Sequence, residues 1–66
     1  MAKRPALDAA CKTFADITGL LEDAALLASE AQAAPSLVGA RQSCDRLIVA
    51  VDTCRGRLQR LQRRLA

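Results

Sequence analysis

Apolar residues return every seven positions along both halves of the chain. In the first half Leu7, Phe14, Leu21 and Ala28 form one row, and Ala10, Ile17, Ala24 and Ala31 form a second. In the second half Leu37, Cys44, Val51, Leu58 and Leu65 form one row, and Ala40, Leu47, Cys54 and Leu61 the other. Rows offset in this way share one face of a helix, as the a and d positions of a heptad. The segment QAAPS, residues 32–36, interrupts the pattern. Pro35 disfavours helix for the residue before it, and Ser36 suits the N-cap of a second helix. The spacing therefore predicts a first helix over about 5–31, a turn over 32–36, and a second helix over about 37–65. Pro5 is well placed in a first helical turn.

The two patterns also agree on a register. In an antiparallel hairpin the paired residue numbers have a constant sum. Leu7 with Leu61, Phe14 with Cys54, Leu21 with Leu47 and Ala28 with Ala40 all sum to 68, as do Ala10 with Leu58 and Ile17 with Val51. The expected fold is thus all-α: one domain, residues 1–66, forming an antiparallel helical hairpin, a two-helix coiled coil. Alanines and Cys44 near the turn predict close approach there, with Phe14, Leu7 and Leu61 holding the open end wider.

Size changes this picture. A chain of 66 residues lies below the length at which one core supplies more than about 3–5 kcal/mol without a staple or a partner. Two hairpins paired as a homodimer make a four-helix bundle, large enough to sustain a core. The expected seam is the g row, Leu20 and Leu27 with the small Ala50. Acids at c on the first helix, among them Asp16 and Asp23, border it on one side, and Arg57, Arg60 and Arg64 border it on the other. Such a seam is self-complementary under a two-fold axis. Leu26, Ile48 and Val49 add apolar surface beyond it and are candidate partner contacts.

Composition removes several function classes. Hydrophobic residues make up 52% of the chain, yet Phe14 is its one aromatic and it has no histidine. Asp8, Lys12, Asp16, Glu22, Asp23 and Glu30 interrupt the first half, which excludes a membrane span and spoils a secretory-signal reading. Three cysteines, Cys11, Cys44 and Cys54, without a CxxC or a histidine, point to reduced thiols in a cytoplasmic setting and to no zinc site. Cys44 and Cys54 read as small core hydrophobes and Cys11 as a flanking thiol. The carboxylates are strung along an outer face rather than gathered with a nucleophile or base. The expectation is a non-enzyme with no cofactor and no metal.

The net charge of +3 is unevenly spread, −2 over residues 1–34 and +5 over 35–66. The end RGRLQRLQRRLA holds five arginines and no acid. Late arginines favour a helix C-terminus by about 0.3–1 kcal/mol each. Folded antiparallel, the hairpin sets Lys3 and Arg4 beside Arg55 and Arg63 as a basic pole able to meet phosphate or an acidic protein. Nucleic acid ranks second as a partner, because the stacking aromatics that single-strand binders use are missing.

A hairpin of this length with small and large seam residues resembles, in architecture, the Rop family of plasmid copy-number regulators, which bind paired RNA loops. That family builds its RNA face from polar and basic residues of the first helix with an exposed aromatic. Here the first helix is acidic and Phe14 falls in the a row, so those roles do not carry over. Small helical-hairpin chaperones of bacterial secretion systems are similar in size. The expected function is a regulatory or adaptor protein acting by protein–protein interaction, as chaperone, inhibitor or assembly factor. A Rop-like RNA binder using the basic pole, or a structural subunit of a larger helical assembly, is the alternative.

Overall fold

The computed structural model describes residues 5–66, and Lys3 and Arg4 of the expected basic pole lie outside them. Two helices account for the described chain: α1, Pro5–Ala31, and α2, Leu37–Leu65. They pack against each other as a hairpin, with no strand among the described residues. Among the described residues no helix is long and apolar enough to cross a membrane.

The turn arises from its local chemistry. As α1 ends, three successive amides switch to the shorter i→i+3 pattern: Gln32 to Ser29 (3.2 Å), Ala33 to Glu30 (3.1 Å) and Ala34 to Ala31 (3.1 Å). Such bonds satisfy carbonyls that a helix end leaves open. Pro35 then blocks continuation, and Ser36 takes an extended backbone as the N-cap of α2. Its Oγ accepts from the Gly39 amide at 3.1 Å, while the Ser36 carbonyl accepts from Ala40 at 3.0 Å. A Cβ at Gly39 would sit 3.4 Å from that Oγ, in ordinary contact with the cap. At the opposite end of α2, Arg63 and Arg64 stand in the last turn, where cations meet the negative end of the helix dipole.

Burial departs from the expected coiled coil in one respect that matters for function. The buried residues are Ala10, Ile17 and Ala24 on α1 and Cys54 and Leu61 on α2, all d positions. The half-buried set contains Ala31, Ala40 and Leu47 at d, and Thr13, Leu20, Leu27, Ser43 and Ala50 at g. The a row, expected inside the hairpin, is open: Phe14 is 50% exposed and Val51 54%, while Cys44 is exposed as well. The helices therefore meet along d and g. The contact has turned by one heptad position, about 51° around the wheel, from the a/d line of a two-stranded coiled coil. The two rows exchanged explain the direction of this turn, because g offers the small Thr13, Ser43 and Ala50 where a carries the bulkier Leu7, Phe14, Leu21, Val51 and Leu58.

Candidate functional site: two unlike faces of one layer

The Cα positions span 56 × 20 × 9 Å, a single layer of two helices. A domain normally buries its apolar side beneath a second layer. Here both broad faces of the layer are open, and the d/g contact decides what each presents.

In an antiparallel pair the two helical wheels are mirror images. Positions with the same letter therefore turn to the same side of the layer. The structure shows this directly at the open end. Phe14 of α1 and Leu58 and Leu65 of α2, all a residues, line one depression with Leu61 beneath and Arg55 and Gln62 at its rim. Asp16 of α1 and Arg60 of α2, both c residues, line another with Thr13, Arg57 and Arg64.

The first face is apolar. Its a rows hold Leu7, Phe14, Leu21 and Ala28 on α1 and Leu37, Cys44, Val51, Leu58 and Leu65 on α2. Neighbouring e positions on α1, Cys11, Thr18 and Ala25, are also uncharged, so an unbroken strip of that helix carries no charge from residue 7 to residue 28. On α2 the e positions are Arg41, Ile48, Arg55 and Gln62. Every large residue of the a rows is at least two-fifths exposed, Leu58 being the least open at 41% and Leu37 the most at 90%. Thr18 turns its hydroxyl back to the Phe14 carbonyl at 2.9 Å, which removes a donor from this face.

The second face is charged and divided. Asp16, Asp23 and Glu30 run along α1, and Arg46, Arg57, Arg60 and Arg64 run along α2. Asp16 thus shares a depression with three arginines of its own chain. No ion pair closes there: the one ion pair among the described residues joins Arg55 Nη2 to Asp52 Oδ1 at 3.6 Å, on one helix and exposed to solvent. Exposed pairs of this kind contribute about 0–1 kcal/mol. Arg60 instead donates from Nε to the Gly56 carbonyl at 3.4 Å, and Arg63 to the Gln59 carbonyl at 3.4 Å.

The expected site residues fall in different parts of this layer. Leu20, Leu27 and Ala50 lie half-buried in the contact between α1 and α2. The three candidate partner contacts are exposed but separate, with Ile48 at e on the apolar side and Leu26 and Val49 at f toward the charged side. Arg55 at e and Arg63 at f lie on either side of the outward edge of α2, about two turns apart. Cys54 is buried, whereas Cys11 and Cys44 are exposed.

The open a rows escape sequence reasoning as a surface because the heptad pattern assigns them to the hairpin core. A signal for them is present in the width of the apolar arc. On α1 it covers d, g and a, and a stripe that wide belongs to a helix with two neighbours rather than one. No protein-family model matches the sequence, and neither a curated protein nor a solved structure matches it.

Proposed function

We propose that this chain is a small, non-enzymatic regulatory or adaptor protein of the cytoplasm, which pairs as a homodimeric four-helix bundle and acts on a protein partner through its helical surfaces. The observation that carries the reading is the uncovered apolar face of a one-layer hairpin. Leu7, Phe14, Leu21, Val51, Leu58 and Leu65 are all at least two-fifths exposed on one side. Contiguous exposed patches of that kind mark interaction surfaces. Support for contact rather than catalysis comes from composition: there is no histidine, and the carboxylates are dispersed along the outer side. Sedimentation equilibrium of the purified protein tests the assembly, with a mass of two chains expected at micromolar concentration and a folded monomer refuting it.

An RNA-binding reading, Rop-like in architecture, draws support from one feature. Arg57, Arg60 and Arg64 border a common depression without an ion pair. Affinity isolation from the native host with and without nuclease separates the two readings. Retention of a protein partner after nuclease supports the adaptor, and loss of all bound material supports the RNA binder.

A further inference from the structure

A two-helix coiled coil buries its a and d rows alike, because its contact line runs midway between them. This hairpin does otherwise: d is buried, g is half-buried and a is open. The line between a and d stands about 51° out of the plane of the two helices, one heptad step from the d/g contact. In a four-helix bundle of square cross-section each helix has two neighbours at right angles, and the core lies midway between the directions to them. The hairpin is oriented as half of such a bundle. Its d and g rows serve the contact inside the hairpin, its a and e rows face a second layer, and a and d together point to a core that one chain leaves half built.

We infer that the face formed by Leu7, Phe14, Leu21, Val51, Leu58 and Leu65 docks on the same face of a second copy of this chain, leaving the faces that carry the acids and arginines outward. The inference rests on the pairing of hairpins proposed above and names the face that makes it, in place of the g seam of Leu20, Leu27 and Ala50.

Area supports a second copy as the occupant. The chain exposes 5564 Å², whereas a compact monomer of its 7.0 kDa exposes about 4,000 Å². Joining two copies into one compact particle removes about 4,400 Å² in total by the same scaling, within the roughly 2,000–5,000 Å² of obligate homodimers. Charge agrees. The α1 strip from Leu7 to Ala28 has no charged group to desolvate. Among the described residues the cations at this face are Arg41 and Arg55, at e positions on its edge, where a guanidinium reaches water. The opposite face, by contrast, would bury Asp16, Asp23 and Glu30 together with four arginines.

Cys44 provides a native probe of the face, because it lies in the a row and is exposed in a lone hairpin. Alkylation of the native protein is followed by peptide mass spectrometry, with sedimentation run in parallel. The reference is the thiol introduced by Gln42→Cys, two residues away at an exposed f position on the charged side. If the face is shared between copies, the protein has the mass of two chains and Cys44 reacts about tenfold or more slowly than the reference, since thiolate attack requires access. A two-chain mass with Cys44 as fast as the reference overturns the assigned face while the pairing stands. A folded monomer overturns both. A substitution pair gives the second reading: Leu21→Glu lowers the mass toward one chain, and Val49→Glu, exposed at f, leaves it at two. A dimer that survives Leu21→Glu refutes the inference.

Discussion

Replacing Ile17 by alanine strikes the hairpin where it has least redundancy. Ile17 is 5% exposed and is the one large side chain in the d row of α1, between Ala10 and Ala24. Its removal leaves a cavity flanked along the helix by methyl groups, with no neighbouring side chain in the row able to swing in. Ile→Ala changes in cores cost about 2–5 kcal/mol. At roughly 0.05–0.15 kcal/mol per residue a chain of this length has about 3–10 kcal/mol in all. Ile17→Ala therefore takes about a fifth or more of the stability and, where the cost reaches the total, unfolds the protein at room temperature. Ile17→Val, which removes one methyl group, costs about 0.5–1.5 kcal/mol. The assay is urea titration followed by circular dichroism at fixed protein concentration, so that association contributes equally to each variant. Val49→Ala serves as control: Val49 is exposed at f, and its truncation should stay within about 0.5 kcal/mol of wild type. If Ile17→Ala falls within that same margin, or if Val49→Ala costs as much, the d/g contact is not what holds the helices together.

Three further outcomes are expected. Ser36→Ala removes the Oγ that accepts from Gly39 and should cost about 0.5–2 kcal/mol, read as a melting temperature lower by roughly 4–8 °C per kcal/mol; an unchanged melt refutes the cap's role. Gly19→Ala and Gly56→Ala each place a Cβ with nothing within 4 Å, and each should raise stability by about 0.5–1 kcal/mol through the helix interior alone, so destabilisation by either would show that its surface is occupied in the native assembly. Generic RNA should bind weakly, with a dissociation constant of about 10⁻⁴–10⁻⁶ M at physiological salt, and changing Arg57, Arg60 and Arg64 together to Gln should flatten the salt dependence measured by filter retention; tight, salt-resistant binding to one RNA, abolished by that change, would favour the RNA reading.

Much of the architecture is legible in the order of residues, because the signals involved are local. Seven-residue spacing selects helix, and the placement of Pro35 and Ser36 ends one helix and caps the next through bonds that span four residues or fewer. The constant sum of paired positions also comes from spacing, but it pairs a with d residues, and the a row is open. The rotation of each helix about its own axis is not fixed in this way. Rows a, d and g of α1 are all largely apolar, so periodicity alone permits contact along a/d or along d/g. The choice depends on whether the a or the g rows of the two helices fit together beside d, a pairwise property of residues such as Phe14 and Leu58 at a and Thr13, Ser43 and Ala50 at g that neither helix expresses by itself. Once that contact forms along d and g, a turn of one heptad position moves Phe14, Leu21, Val51 and Leu58 from interior to surface. It also gathers the acids of α1 and the arginines of α2 on the other side of the layer. Helix identity is a property of neighbours in the chain, whereas the face a helix presents is decided by what it packs against.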